Sequence, residues 1–233
     1  MPEHDVIYRV VAFIDYWDLQ SSLNEGVGGR FQIDWSRFPR WLATKAVSYA
    51  HGLPTANLRF EGANVYLALD PPYPGDTELK EWAISELGRK PGVRVIFGER
   101  VTGPRNCNAC HLTGTPDCRR CKGTVAGSGG QTTTDVITVD IFQLTREEVF
   151  DIAVIVSSDT TLIPAARYLK TKGKLVVVGG FLPRGAEMAR ECSAFLDIGH
   201  AKGEFEKRTT EEPAETALRS SEPKLRAGGK REH

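Results

Sequence analysis

The sequence predicts an α/β protein: a three-layer α/β/α, Rossmann-like domain around a mainly parallel sheet. Three observations carry this. Val10 to Ile14 (VVAFI) is an unbroken apolar run rich in β-branched residues, as suits a strand covered on both faces. Strand-like and helical segments then alternate along the chain. Acids sit at or just after apolar strands, at Asp15 and Asp159, where open α/β folds place ligands.

Val6 to Asp15 reads as the first strand and Trp17 to Leu23 as the start of a helix, interrupted by Gly26, Gly28 and Gly29. Arg30, beside these glycines, has the reach to contact a phosphate, although a solvated loop arginine is the plainer reading. Trp35, Phe38, Trp41, Leu42, Ala46 and Tyr49 recur at three- and four-residue spacing, so a helix begins near Ser36, with Pro39 early enough to be tolerated. That aromatic stripe is read as core rather than as a base-stacking platform. Leu58 to Leu69 is a second strand, irregular near Gly62, and Asp70 to Gly75 is turn material. A helix follows over Thr77 to Leu87, ended by Gly88, and Val93 to Phe97 is a third strand.

After the Gly103–Gly130 interruption, Asp135 to Thr145 suits a helix and Ile152 to Val156 a strand. Thr161 to Lys172 is a helix with Pro164 near its start and Gly173 at its end. Leu175 to Val178 is a strand, and Glu187 to Phe195 a last short helix. The expected organisation is one domain over 1–200 with an insert at 103–130. A charged, apolar-poor tail over 201–233 is expected to be disordered.

The chain has 233 residues, 40% hydrophobic and 26% charged, with formal net charge zero. It therefore lacks the broad basic character of many nucleic-acid binders, though a local basic groove is compatible. No apolar run approaches the roughly 20 residues of a membrane span. MPEHDVIYRV lacks a signal-like pattern, so the expected location is cytoplasmic.

Four of the five cysteines cluster as Cys107-x2-Cys110 and Cys118-x2-Cys121, while Cys192 stands apart. Two such pairs suit one tetrahedral Zn²⁺ site, structural because four thiolates leave no open position. Disulfides and an iron–sulfur cluster are the competing readings. The insert also carries Arg105, Arg119, Arg120 and Lys122 against Asp117, a basic surface suited to a phosphate backbone or simply to solvation. VAGSGGQTTT, from Val125, reads as a flexible linker.

Asp15 and Asp159 would emerge on one edge of a parallel sheet. Asp135 starts the helix just before the Ile152–Val156 strand and Asp140 lies later on it, as an acid behind the site or on the surface. Clustered carboxylates are stabilised by a hard divalent cation, Mg²⁺ or Mn²⁺, which suits phosphodiester chemistry. Singly, such aspartates more commonly cap helices or make turns.

FIDYWDL (Phe13 to Leu19), TDVITVDIF (Thr134 to Phe142) and DIAVIVSSDTTLIPAARYLKTKGKLVVVGG (Asp151 to Gly180) resemble the NYN domain, a branch of the PIN-like nucleases. The resemblance runs in order from about Val6 to Gly180, with the zinc module as an addition. It implies a PIN-like fold, metal-binding acids at Asp15, Asp135 and Asp159, a common acidic position at Asp140, and RNA as substrate. Asp18 stands where the family usually has Asn. Ser157 and Thr160 would edge the site, and Pro164 matches the family's proline. Ser158 replaces the usual Gly, and Thr161 replaces the second acid of an Asp-x-Asp pair.

The function expected is a metal-dependent endoribonuclease with Asp15, Asp18, Asp135, Asp140 and Asp159 as candidate catalytic residues. Arg30, Arg105, Arg119, Arg120 and Lys122 are the candidate RNA contacts. A catalytically weak NYN protein that binds nucleic acid is the alternative, and the sequence leaves a homo-oligomer open. A phosphohydrolase with an aspartyl nucleophile ranks lower, because Asp15-Tyr16-Trp17 lacks the Asp-x-Asp arrangement.

Overall fold

The computed structural model describes residues 7–25, 30–51, 58–69, 74–102, 106–107, 125–126, 129–131 and 133–207. In chain order these form β1 (Tyr8–Asp15), α1 (Tyr16–Asn24), α2 (Phe38–His51), β2 (Leu58–Leu69), α3 (Pro74–Trp82) and β3 (Val93–Thr102). Next come β4 (Asn106–Cys107), β5 (Val125–Ala126), β6 (Gly129–Gln131), α4 (Thr133–Arg146), β7 (Ile152–Val156) and α5 (Ile163–Thr171). β8 (Leu175–Gly180), α6 (Ala186–Glu191), β9 (Ala194–Asp197) and α7 (Lys202–Phe205) complete the described part.

The sheet order is β6-β3-β2-β1-β7-β8-β9, and every pairing is parallel except β3 with β6. Counting only the parallel strands along the chain, the order is 3-2-1-4-5-6, which reverses between β1 and β7. At that reversal the connections leave toward opposite faces and open a crevice at the carboxyl ends. β1 is central, so both of its faces are covered. Val10, Ala12 and Ile14 pack with Leu19, Leu23, Phe38 and Leu42, whereas Val11 and Phe13 pack with Ile137, Ile141, Ala165 and Leu169. The expected three-layer architecture is the one observed.

The irregularity expected near Gly62 is a bulge: Val10 faces Phe60 but Val11 faces Gly62, so Glu61 is skipped. Gly62 has φ +154°, and a Cβ there would lie 3.3 Å from the Gly92 carbonyl oxygen. The helix expected over Thr77–Leu87 is α3 followed by one wide π turn, Ala83–Leu87, which the Gly88 N–H closes on the Ala83 carbonyl at 2.8 Å. The third strand runs five residues past Phe97, to Thr102.

Three expectations are corrected. The helix expected over Glu187–Phe195 ends at Glu191, and Ala194–Asp197 instead extends the sheet beside β8. Ser193 N–H already donates to the Val176 carbonyl at 2.8 Å, so pairing with β8 outweighs the weak propensity of a short polar helix. The stretch read as a linker contributes β5 and β6, and its last residues, Thr133 and Thr134, begin α4. The chain beyond His200 remains packed as far as Lys207. Phe205 is 0% exposed, with its ring centre 4.7 Å from Phe38 and 4.8 Å from Trp41. One aromatic anchor holds a segment whose average composition is polar.

The β4–β5 pair sets Cys107 opposite Val125. Cys110, Cys118, Cys121, Arg105, Arg119, Arg120, Lys122 and residues 208–233 lie outside the described residues, as does Cys107 beyond its backbone. Among the described residues, no helix is long and apolar enough to cross a membrane.

Candidate active site

The β1 alternation that sends Val11 and Phe13 toward α4 also sends Asp15 there. Its Oδ2 accepts from the Thr133 hydroxyl at 3.1 Å, at the first residue of α4. Its Oδ1 accepts from the backbone N–H groups of Trp17 and Asp18 at 3.0 and 3.2 Å, so Asp15 caps α1. Asp15 is 2% exposed. Burial, then the neighbouring Asp18 carboxylate, push its pKa up to about 6, against the pull of its three hydrogen bonds.

Asp18 stands in the first turn of α1 and reaches across to the end of β7. Its Oδ1 accepts from the Ser158 hydroxyl at 2.8 Å and its Oδ2 from the Ser158 backbone N–H. Two departures from the family pattern, Asp18 for Asn and Ser158 for Gly, are therefore bonded to each other. Asp159 follows and caps a 3₁₀ turn, Thr160–Leu162. Its Oδ1 accepts from the Thr161 N–H at 2.9 Å and the Thr161 hydroxyl at 2.8 Å. Thr161, in place of an acid, thus orients the acid that remains.

A cavity of about 210 Å³ lies at this edge, lined by Asp15, Trp17, Asp18, Ser21, Ser157, Ser158 and Asp159. It is at the crevice between β1 and β7. Three carboxylates face it, and among the described residues no Lys or Arg lines it. Asp135 is exposed in the first turn of α4 and is not among the lining residues. Asp140 accepts from the Tyr66 hydroxyl at 2.9 Å instead of lining the cavity. Burial, and then Asp140, raise the pKa of that phenol. Arg30 is also elsewhere: it donates to the Tyr16 hydroxyl and lies over the Trp82 ring.

The sequence pattern missed Thr133 and Ser21. Thr133 had a signal, a Thr run just before a helix; Ser21 had none. The donor set fits a divalent ion in kind, being carboxylate and hydroxyl oxygen around an open cavity. Among the described residues, no three acids, cysteines or histidines close on one point as a cage. Mg²⁺ commonly takes one or two carboxylates and completes its shell with water and phosphate, and the open arrangement suits that mode.

No curated protein matches the chain. A solved structure from Vibrio parahaemolyticus, of a protein of unknown function, VPA0982, resembles it in fold with a TM-score of 0.50 at 15% identity. That match covers 85% of this chain and 96% of the other. A family model for the NYN domain matches residues 63–199, so Asp135, Asp140 and Asp159 fall inside the match, and Asp15 and Asp18 precede it. Such PIN-like nucleases generally use divalent metals. With more than half of its length matched and the sheet in the expected order, the chain belongs to the NYN domain family, within the PIN-like nuclease superfamily.

Proposed function

We propose that this protein is a metal-dependent endoribonuclease that hydrolyses RNA phosphodiester bonds at Asp15, Asp18 and Asp159. The observation that carries the reading is that these three acids line one cavity at the reversal of strand order, with no Lys or Arg among its described lining residues. One or two of Asp15, Asp18 and Asp159 would hold Mg²⁺ or Mn²⁺, with water and phosphate completing its shell. Bound there, the ion supplies a lowered pKa for its water and charge stabilisation for a phosphorane-like transition state.

The chain's own residues contribute orientation. Ser158 fixes both oxygens of Asp18, and Thr161 fixes one oxygen of Asp159. Thr133 and the α1 amides fix Asp15. The reaction is a hydrolysis: a water oxygen bonds to phosphorus, the bridging P–O bond breaks, and the leaving oxygen takes a proton. Asp135 is exposed and outside the lining, so the proposal does not rest on it. We also propose that Cys107, Cys110, Cys118 and Cys121 bind a structural Zn²⁺, with Arg105, Arg119, Arg120 and Lys122 contacting RNA. The Cys-x2-Cys spacing supports the zinc reading.

One observation favours a second reading, a catalytically weak NYN protein that binds RNA. Thr161 supplies a hydroxyl where the family has an acid, leaving one carboxylate fewer for the ion. The deciding experiment is cleavage of labelled single-stranded and structured RNA with Mg²⁺, Mn²⁺ or EDTA, wild type beside Asp15→Asn. Ion-dependent cutting lost in the variant is the expected outcome. No cutting by folded, zinc-loaded protein with either ion transfers the reading to the binding protein.

A further inference from the structure

A second cavity, of about 390 Å³, is walled by Trp35, Trp82 and Phe31 and carries Arg30, Gln32 and Glu78 on its polar side. Trp35 is buried, whereas Trp82 is half-buried and offers ring surface. The Arg30 guanidinium is 5.9 Å from the Trp82 ring centre and donates to the Tyr16 hydroxyl, so it is held in place. A separate hollow of about 110 Å³ shares Gln32, Ile33, Trp35 and Trp82 with it and is also lined by Asp34, Glu86, Lys90 and Lys207.

Tyr16 and Trp17 join this cavity to the aspartates. The Tyr16 ring is fully buried, 6.0 Å from Trp82 and 6.3 Å from Trp35, and backs the aromatic wall. The next residue, Trp17, lines the aspartate cavity, where its indole N–H donates to the Ala68 carbonyl at 2.8 Å. Two consecutive residues thus lie behind the wall of one cavity and in the wall of the other.

The chemistry of this wall selects a planar heterocycle. An indole face beside a fixed guanidinium is a stacking site. The volume is in the range of small-molecule pockets, too small for a duplex. Asp34, Glu78 and Glu86 balance Arg30, Lys90 and Lys207, so the described lining lacks the net positive charge of a phosphate track. Carboxylates instead accept from the N–H donors on a base edge.

We infer that this cavity is a base pocket. It takes one unpaired nucleobase of the strand whose phosphate lies at Asp15, Asp18 and Asp159, stacked on Trp82 beside Arg30. The inference rests on the RNA-hydrolysis reading and adds to it: the substrate is single-stranded at that nucleotide, because a paired base cannot enter.

The test is fluorescence-anisotropy binding of short single-stranded RNAs without added Mg²⁺ or Mn²⁺, so that nothing is cut. One series carries a single abasic site at each position in turn. The proteins are wild type, Arg30→Gln, Trp82→Leu and, as the variant that keeps a ring, Trp82→Phe. One abasic position weakens wild-type binding by about 5- to 100-fold, the value of one base–aromatic stack. Trp82→Leu loses a similar factor and no longer senses that abasic site, while Trp82→Phe keeps most of the affinity. Arg30→Gln weakens binding about fivefold.

Equal affinity for every abasic RNA, equal affinity for duplex RNA, or no RNA binding each overturns the pocket. A free mononucleotide bound as tightly as the oligonucleotide does so too, assigning the cavity to a soluble nucleotide. Should Trp82→Leu unfold, Arg30→Gln and the abasic series decide alone. Abasic-sensitive binding without cleavage when Mg²⁺ or Mn²⁺ is restored removes the nuclease reading and keeps the pocket. Cleavage with indifferent abasic binding does the reverse.

Discussion

At the amino end of β1 and β7, Asp151 is surrounded by positive charge. It accepts from Arg9 through the backbone N–H and Nε, both at 3.0 Å, and through Nη2 at 2.8 Å, with Lys174 3.9 Å away. The bond to Arg9 holds its carboxyl below the ordinary range, against the opposing effect of burial. At the carboxyl end of the same strands, Asp15 is 2% exposed, has Asp18 for a neighbour, and is pushed up to about 6. Among the described residues, no Lys or Arg lines its cavity. The two ends use the same side chain oppositely: one acid is settled by the fold, and the other is left as an electrostatic cost that an added cation would relieve.

Asp15→Asn tests this contrast with the largest expected effect. Ion-dependent cleavage falls on the order of a hundredfold or more. Stability without Mg²⁺ or Mn²⁺ moves the other way. A carboxyl whose folded pKa is raised costs stability progressively as pH rises from the unfolded value, roughly 3.9, through the folded one, so near pH 7.5, where the cost is complete, the neutral amide gains on the order of 1–3 kcal/mol. Thermal unfolding without added ion reads this, and a lower midpoint for the amide would break the contrast. Adding Mn²⁺ stabilises the wild type, by about 2.7 kcal/mol at a hundred times Kd, and leaves the variant unmoved.

Asp151→Asn gives the opposite sign and a smaller effect, a loss of about 1 kcal/mol once discounted for its partial exposure. Its lowered folded pKa contributes stability above the unfolded carboxyl pKa, roughly 3.9, and loses it as pH falls through the folded value. The difference between wild type and variant therefore shrinks in acid, which unfolding at pH 7 and at pH 3 measures. Cleavage stays near wild type, since Asp151 is at the far end of the strands.

Asp18 and Ser158 sharpen the comparison within the carboxyl end. Asp18→Asn and Ser158→Gly each restore a family residue, and each loosens the pair of hydrogen bonds between α1 and the end of β7. Their effects on stability are expected to be non-additive, with a coupling of about 1 kcal/mol in a double-mutant cycle. Additive effects would mean that the two side chains do not support each other energetically.

Much of this end was legible in the sequence. VVAFI announced a strand buried on both faces because β1 is central, and the acids after β1 and β7 announced the edge where the strand order reverses. The bond between Asp18 and Ser158 was not legible, because no periodicity couples residues that only meet across two strand ends. β9 was hidden for another reason: a four-residue edge strand takes its stability from β8 rather than from its own pattern. Phe205 escaped because composition averages over a window, whereas packing needs one ring. Trp35 was rightly read as core, yet with Trp82 it also walls a cavity. That depends on which face of each indole the fold leaves open.

The smallest expected effects decide which α4 residue serves the site. Helix geometry gives Thr133 and Asp135 different directions, and Thr133 is the one that bonds Asp15. Thr133→Val removes a donor that favours the ionised carboxylate, so ion affinity drops about tenfold, the usual consequence of losing an orienting hydrogen bond behind a ligand. Asp135→Asn changes affinity by less than about threefold, the range of a screened, exposed charge. Calorimetric Mn²⁺ titration of the two variants makes the comparison directly. If Asp135 proves the more costly loss, α4 turns when the ion binds, and the acid that the family pattern points to is recruited only in the loaded site.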